Sequence, residues 1–283
     1  MTDAPTLFDL WASRDLFRDP ILAATVAGAI LGWLGVYVVL RRMVFVAAAV
    51  SQAAALGVAL AFYAQIHFSW QVSPVLGAVT LTLLVSGLFM LEPKRLRITR
   101  ESLLGLAFVL AGGAAVAIGD RISQEAHEIG AILFGTAVLV RSSDLWLILG
   151  LSALLFVGHV FTTRGMVLAS FDPAAAKVQG LPVRWLDAFL FLSIGAMVAI
   201  ATRALGALPV FAFTVLPAMA ALALGGRVTT VLLLSALLGA ASGLLGYVVA
   251  FLRDLPVGAS QTIVAASWVA VALIIRLLIS KLR

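Results

Sequence analysis

Few side chains in this sequence could bind a metal ion or transfer a proton. There are three histidines and no cysteine, so a thiolate metal site and a cysteine nucleophile are excluded. His127 lies between Glu125 and Glu128, and His67 follows the second long apolar run. Imidazole and carboxylate groups bind divalent cations, so these four residues are candidates for a weak, cation-attracting vestibule; solvated loop residues are the alternative. His159 lies inside an apolar run, where we expect a hydrogen-bonded packing residue.

Uncharged polar side chains within the apolar runs are candidates for a transport path. Ser51 and Gln52 lie in one such run, and Gln261 and Thr262 lie near the start of the last one. We expect these four residues along a path through the membrane. The alternative is interhelical hydrogen bonding, worth about 0.6–2 kcal/mol per bond. All carboxylates lie in loops or at the ends of apolar runs, which argues against transport driven through a buried acid.

The elements that must position these residues are membrane helices. Of the 283 residues, 63% are hydrophobic and 11% are charged, whereas soluble domains have about 25% charged residues. This composition excludes a soluble enzyme, a nucleic-acid-binding protein and a disordered chain. We predict an all-α polytopic membrane protein, since a crossing helix needs about 20 apolar residues. Nine runs qualify, at 20–40, 43–63, 72–91, 102–119, 144–161, 186–203, 206–224, 228–252 and 258–279.

The number of crossings and their direction follow from the prolines and the basic residues. The run at 206–224 contains Pro209 and Pro217, and a helix interior tolerates proline badly, so eight crossings are expected if this run is only partial. Lysine and arginine concentrate on the cytoplasmic side. An external N-terminus and a cytoplasmic C-terminus place most of the 19 basic residues inside. We predict an interfacial segment at 1–19, in contact with membrane lipid, and one transmembrane domain at 20–283.

The chain has no ATP-hydrolysing loop of the G-x-x-x-x-G-K-[ST] type. Energy for uphill transport must then come from a separate subunit that acts on a cytoplasmic loop, and residues 162–185 are long enough to dock one. We expect a short helix there, with Asp172 as its N-cap and Pro173 at its first position. Gly180 is expected to end this helix, with Pro182 beyond it. An ordinary amphipathic connector is the alternative.

Several segments together resemble the permease subunits of bacterial ABC importers for zinc, manganese and iron, the ABC-3 family. The fold of that family is similar to that of the vitamin B12 and siderophore permeases, the type II importers. The resemblance covers about residues 20–282. It is carried by RRMVFVAAAVSQAAALGVAL at 41–60, ESLLGLAF at 101–108, EIGAILFGTAVLVRSSDLW at 128–146, FDPAAAKVQGLPVRW at 171–185, LGALPVFAFTVLPAMAA at 205–221 and LPVGASQTIV at 255–264.

The resemblance implies an inner-membrane (cytoplasmic-membrane) homodimer around a central path for a divalent metal, with no cofactor bound by the permease and no enzymatic activity of its own. It also implies partner ABC ATPase subunits that use ATP, and a periplasmic or surface solute-binding protein. Residues 172–181 are then the coupling helix that docks the ATPase. The residues assigned to this docking are Asp172, Pro173, Ala176, Lys177 and Gly180.

The sequence departs from this family where its metal-contacting pair is expected. The second span in the family typically carries an aspartate and, four residues later, a histidine; these positions are Ala48 and Gln52 here. Residues four apart share one helix face, but alanine is no ligand and glutamine offers a neutral amide oxygen. Two alternatives to import of zinc, manganese or iron therefore stay open. One is an importer for a metal chelate or another small solute, and the other is a membrane scaffold that does not transport.

Overall fold

A computed structural model describes residues 6–90, 100–122 and 140–281 of the chain. Within these ranges the regular secondary structure is entirely helical. Its helices are α1 (Leu7–Ala12), α2 (Arg14–Leu40), α3 (Val44–Phe68), α4 (Pro74–Met90), α5 (Arg100–Arg121), α6 (Ser142–Phe171), α7 (Pro173–Val178), α8 (Val183–Leu205), α9 (Ala207–Leu224), α10 (Val228–Arg253) and α11 (Val257–Lys281).

The prediction of an all-α, multi-pass membrane protein is confirmed. Among the described residues, eight helices are long and apolar enough to cross a membrane, namely α2, α3, α5, α6, α8, α9, α10 and α11. Helix α4 is described over 17 residues, up to Met90, and residues 91–99 that follow it lie outside the described ranges. Each predicted run corresponds to one helix, and the segment at 206–224 is among the eight that are long enough to cross.

Helix α9 is continuous over 18 residues although it contains two prolines. The helix starts after Gly206, so Pro209 lies in the first turn, where the backbone N–H groups have no intrahelical acceptor and a proline removes no hydrogen bond. Pro217 is buried within the helix, and packed neighbours in membrane bundles compensate for the bond that such a proline removes. The run at 206–224 is therefore long enough to be a complete span.

The N-terminal segment predicted at 1–19 is described from residue 6 onward. It contains α1 and the start of α2, and α2 continues through Pro20 without a break. Phe17 packs against Phe251 of α10, with ring centroids 5.2 Å apart. Part of the segment therefore contacts the helix bundle, and its role as a separate interfacial element stays a prediction.

Helix α2 lies in the core and packs backbone to backbone against its neighbours. Gly28 faces Gly239 of α10 so closely that a Cβ atom on either would overlap the opposite backbone. Across the same interface, Ser235 Oγ donates to the carbonyl of Gly32 at 2.6 Å. Small residues permit this approach in membrane bundles, where van der Waals packing and hydrogen bonds drive helix association. These contacts make α2 a central support for the helices around it.

Ion pairs and hydrogen bonds show which helix ends meet. Arg41 at the end of α2 pairs with Asp187 near the start of α8. At the opposite end of the bundle, Arg203 near the end of α8 pairs with Asp144 in the first turn of α6, with an N–O distance of 3.0 Å. Helices α6 and α8 therefore form an antiparallel hairpin, and α7 is the connection at its tip.

Candidate functional site

A cavity of about 700 Å³ lies between α3, α5 and α9. Helix α3 contributes Ala48 and Gln52, the positions where the resemblance predicts an aspartate and a histidine. The lining residues are Phe45, Ala48, Ser51, Gln52, Phe108, Val109, Gly112, Gly113, Val116, Ala207, Leu208 and Phe211. At about 30 Å³ per water molecule, the volume has room for on the order of twenty waters, so a hydrated divalent ion fits.

Ser51 and Gln52 supply the polar side chains of this cavity; the other lining residues are apolar or glycine. Ser51 is 2% exposed, and its Oγ donates to the carbonyl of Ala48 at 2.9 Å, which leaves the hydroxyl lone pairs free to accept. The Gln52 side chain lies on Gly112 of α5: a Cβ atom at Gly112 would be 3.2 Å from Gln52 Oε1. Within the described part of the chain, the Gln52 amide has no hydrogen-bond partner, so it is free to contact a solute.

The chemistry that the cavity offers is neutral oxygen. Oxygen ligands suit hard cations such as Mg²⁺, Ca²⁺ and Mn²⁺, whereas nitrogen and sulfur ligands suit zinc and copper. No group of three or more His, Cys, Asp or Glu residues lies together within the described ranges. Ser51 and Gln52 can therefore replace part of the hydration shell of a hard cation without holding it firmly. Weak binding of this kind permits release as well as entry.

Gln261 and Thr262, the other predicted path residues, do not line this cavity. Both lie on α11. Gln261 is fully buried, and its Nε2 donates to the carbonyl of Gly243 in α10 at 3.3 Å. The hydroxyl of Thr262 donates to Gly258 within its own helix at 2.8 Å. The structure thus brings together two of the four predicted residues, and it gives Gln261 the interhelical hydrogen bond that was the alternative.

His67 differs from its expected location in a loop. It belongs to the last turn of α3, and its ring stacks on Tyr63 with centroids 4.1 Å apart. Aromatic packing within one helix accounts for this position. Its three proposed partners in the vestibule, His127, Glu125 and Glu128, lie outside the described residues.

His159 is a packing residue, as predicted, but without the expected hydrogen bond. Its side chain is fully buried and stacks on Phe189 and Tyr37, with ring centroids 4.7 and 5.9 Å away. Neither ring nitrogen has a hydrogen-bond partner among the described residues. The aromatic neighbours, rather than polar ones, therefore fix its position between α2, α6 and α8.

The predicted short helix at the tip of the α6–α8 hairpin is present as α7. Asp172 is its N-cap: Oδ1 accepts from the backbone N–H groups of Ala174 and Ala175 at 3.0 and 2.9 Å. Pro173 occupies the first helical position, where its fixed φ favours the helix and its missing N–H costs nothing. Residues 162–171 of the predicted connection are the last turns of α6, so only 172–182 lie between the two long helices.

Gly180 ends α7 as predicted. Its φ of +77° is in the left-handed region that favours glycine. Its N–H donates to Lys177, and the N–H of Leu181 donates to Ala176, both at 3.0 Å; this is the Schellman pattern. Ala176 is fully buried, while Val178 on the outer face is 89% exposed. The helix is thus anchored on one side and presents a small surface on the other.

The residues that sequence reasoning missed come from other helices. Gly112 and Phe211 complete the cavity wall, yet in the sequence both are ordinary members of apolar runs.

The Arg41–Asp187 ion pair was also missed, since the two residues are 146 positions apart in the sequence. A basic residue at one span end and a carboxylate at another were the available signals, and neither identifies the other as its partner.

Comparisons with known proteins bear on this arrangement. Residues 13–276 match the profile of the ABC 3 transport family. The chain is 26% identical over 272 residues to the manganese transport system membrane protein MntC of Halalkalibacterium halodurans, covering 96% of this chain and 91% of the relative. It is 26% identical over 252 residues to the manganese import system permease protein ScaB of Streptococcus gordonii, covering 88% and 87%. A chain of PsaBC from Streptococcus pneumoniae in complex with Fab has the same fold, with a TM-score of 0.82, 21% identity and coverage of 94% and 95%.

Proposed function

The chain belongs to the ABC 3 transport family, and from that premise we propose that it is the membrane permease subunit of an ATP-driven importer for manganese. The resemblance drawn from the sequence is confirmed, since the family profile covers residues 13–276. The observation that carries the proposal is the cavity: α3 places Ala48, Ser51 and Gln52 on its wall, where the family's metal contacts are expected. These findings favour neither the chelate importer nor the scaffold.

Manganese is the proposed cargo for two reasons. Relatives that match most of the chain are named for manganese transport or import. The hydroxyl of Ser51 and the amide oxygen of Gln52 are hard, neutral ligands, which suit Mn²⁺ better than Zn²⁺. With an alanine at position 48, the described wall of the cavity supplies no carboxylate, so the ion keeps most of its water shell while it passes.

A second copy of the permease is proposed to complete the path. On the open side of the cavity, the apolar residues Phe45 and Val109 are 58% and 66% exposed, and Phe108 is 38% exposed. A polar ion cannot cross hydrocarbon, so this side must face another protein surface rather than lipid. A homodimer with the cavities facing one another meets that need and agrees with the central path implied by the family resemblance.

The energy source is proposed to be a separate ABC ATPase subunit that docks on α7. The sequence has no phosphate-binding loop for ATP. Helix α7 presents Val178 and Lys177 outward while Ala176 anchors it. Arg42, Arg164 and Arg184 lie near the same helix ends as α7, which supports a cytoplasmic location for α7 by the positive-inside rule. The N-terminus is then external and the C-terminus cytoplasmic.

A solute-binding protein is proposed to deliver the metal to the opposite, external face of the inner membrane. The described part of the chain brings together no three His, Cys, Asp or Glu residues, so selection of the ion from dilute solution requires a tighter binder. If the solute-binding protein binds the ion tightly and the permease binds it weakly, the ion is also not trapped in the permease. The proposed assembly has two permeases, two ATPases and one binding protein.

The proposal is tested by uptake measurements on the complete complex in liposomes. We expect ATP-dependent uptake with a higher kcat/KM for Mn²⁺ than for Zn²⁺. Gln52→Leu keeps the side-chain size but removes the amide oxygen, so it should lower kcat/KM for manganese at least tenfold, because a hydrogen bond or dipole contact to a charged group is worth about 1.5–3 kcal/mol.

The control is Ser267→Ala on the exposed face of α11, which should keep uptake within twofold of the parent. A preference for zinc or for an intact metal chelate would contradict the proposed cargo. Undiminished manganese uptake by Gln52→Leu would contradict the assignment of the cavity as the path.

A further inference from the structure

Helix α7 and the cavity lie on different elements, so a movement of α7 needs a physical connection in order to change the cavity. We propose that Arg41 is a positioning residue that provides this connection: its guanidinium joins α2 to both arms of the α6–α7–α8 hairpin, so that the displacement of α7 is delivered to α2 and from there to α9. This inference rests on the proposed function.

The hairpin is closely packed next to α7. Two glycines of α6, seven residues apart, leave space that side chains of α8 fill. A Cβ atom at Gly158 would lie 2.7 Å from Phe189 Cζ, and one at Gly165 would lie 3.2 Å from Leu186 Cδ1. Ala176 of α7 is fully buried as part of the same core. A push on α7 therefore acts on α6 and α8 together, since close-packed interiors transmit strain.

The far end of the hairpin is also fixed. Arg203 of α8 and Asp144 of α6 form an ion pair at 3.0 Å, with side chains only 17% and 9% exposed. Ser142 at the start of α6 donates to Asp19 of α2 at 2.8 Å. With ties at both ends, α6 and α8 have little freedom to slide past each other and move as one body.

At the end next to α7, Arg41 connects this body to α2. Its Nη1 pairs with Asp187 on α8, and its Nε donates to Ser170 Oγ on α6 at 2.9 Å. Ser170 lies two residues before the N-cap of α7 and is itself fixed by a bond of 2.7 Å to the carbonyl of Met166. The Arg41 side chain is only 10% exposed. One rigid, planar guanidinium thus contacts both arms of the hairpin at the base of α7, a geometry that lysine cannot reproduce.

Helix α2 reaches the cavity through its contact with α9. Gly35, less than two turns before Arg41, is in direct contact with the backbone carbonyl of Thr214 in α9. The first turns of α9 contribute Ala207, Leu208 and Phe211 to the cavity wall. The connection from α7 through the hairpin, Arg41, α2 and α9 is therefore contiguous, which is the physical condition for coupling through packed elements.

The neighbouring arginine provides a matched control. Arg42 carries the same charge at the same helix end, but it is exposed and makes no ion pair within the described part of the chain. In the complete complex in liposomes, Arg41→Gln and Asp187→Asn should keep ATP turnover within twofold of the parent. The number of manganese ions moved per ATP should fall at least tenfold in both, whereas Arg42→Gln should leave both quantities within twofold.

Partial rescue by a conservative variant distinguishes a positioning role of Arg41 from simple support of the fold. Arg41→Lys, which keeps the charge but not the two-armed contact, should move fewer ions per ATP than the parent and more than Arg41→Gln. If Arg41→Gln loses the ATPase subunit on purification, or if ATP turnover and uptake fall in parallel, the residue only supports folding and the inference is overturned. A parent complex that shows no ATP-dependent uptake contradicts the proposed function instead.

A distance measurement on the otherwise unaltered chain keeps the inference testable even if these variants fold poorly. The sequence has no cysteine, so Arg42→Cys and Arg184→Cys, both exposed positions, can be spin-labelled specifically. We expect the distance between the labels, which spans α2 and α8, to stay the same with and without ATP. A change of several ångströms would show that α2 and the hairpin separate during the cycle, and would overturn the inference.

Discussion

Substitution of Gly180 tests whether the fold of α7, rather than its surface alone, enables ATPase docking. Gly180 has a φ of +77°, and a Cβ atom added to it would have no neighbour within 4 Å. A side chain at this position therefore creates no clash in the permease, and the whole effect on α7 comes from the backbone conformation. Gly180→Val is the perturbation, because a β-branched residue is strongly disfavoured in the left-handed region.

The magnitude follows from the two hydrogen bonds that this conformation permits. The N–H groups of Gly180 and Leu181 donate to Lys177 and Ala176, each at 3.0 Å. An L-residue in the left-handed region costs about 1–2 kcal/mol. If the valine variant avoids that cost by unwinding the last turn, it loses the Schellman bonds instead. Either way, docking on α7 should weaken by about 1–2 kcal/mol, which corresponds to roughly a 5- to 30-fold higher Kd for the ATPase.

The assay is the affinity of the purified ATPase for the detergent-solubilised permease, with Gly180→Asn as the control. Asparagine has one more side-chain heavy atom than valine and is not β-branched, and it tolerates a positive φ. We expect the asparagine variant to bind within about threefold of the parent and the valine variant to bind at least fivefold more weakly. Equal affinities for the two variants would refute the reasoning. Docking would then depend on the presence of a side chain at position 180, or it would not depend on this position at all.

Two further predictions concern the cavity and the far end of the hairpin. Gly112→Leu places a side chain against Gln52 Oε1, where even a Cβ atom would be 3.2 Å away. Manganese uptake should fall more than tenfold, and the affinity for the ATPase should stay unchanged. The control is Gly87→Leu, at a position with open space, which should transport normally. Asp144→Asn leaves Arg203 without its charged partner at a site where the side chains are 9% and 17% exposed; unfolding should require about 2–4 kcal/mol less, and Tm in detergent should fall by about 5–10 °C. Normal uptake by Gly112→Leu, or an unchanged Tm for Asp144→Asn, would count against the respective contact.

The helices could be predicted because the membrane imposes their length and composition. A run of about 20 apolar residues is a strong signal, and each predicted run appears as a helix. The two prolines of α9 suggested that this run is only a partial span. However, Pro209 lies in the first turn, and Pro217 stays within a continuous helix. Helix α4 begins at Pro74, two residues inside the predicted run, and proline at the first helical position is a usual start signal.

Helix α7 was predictable for a different reason, since its signals are local. Capping by Asp172, the position of Pro173 and the positive φ of Gly180 depend on neighbours within a few residues. These interactions follow directly from residue type and spacing.

The cavity and the Arg41 contacts depend on tertiary structure instead. Ser51 and Gln52 were identified as polar residues in an apolar run, but Gln261 carried the same signal and lies at the α10–α11 interface. The opposite wall, including Gly112 and Phe211, consists of residues without any polar signature. Arg41 and Asp187 meet across 146 positions, and a single sequence contains no information that pairs them.

The most direct test of the transport function is manganese accumulation by liposomes that contain the permease with and without its ATPase. The account predicts accumulation against the concentration gradient only when the ATPase is bound on the side of α7 and ATP is supplied to it, because the chain has no phosphate-binding loop of its own. Uphill accumulation by the permease alone, or none by the complete complex with its solute-binding protein, would contradict it.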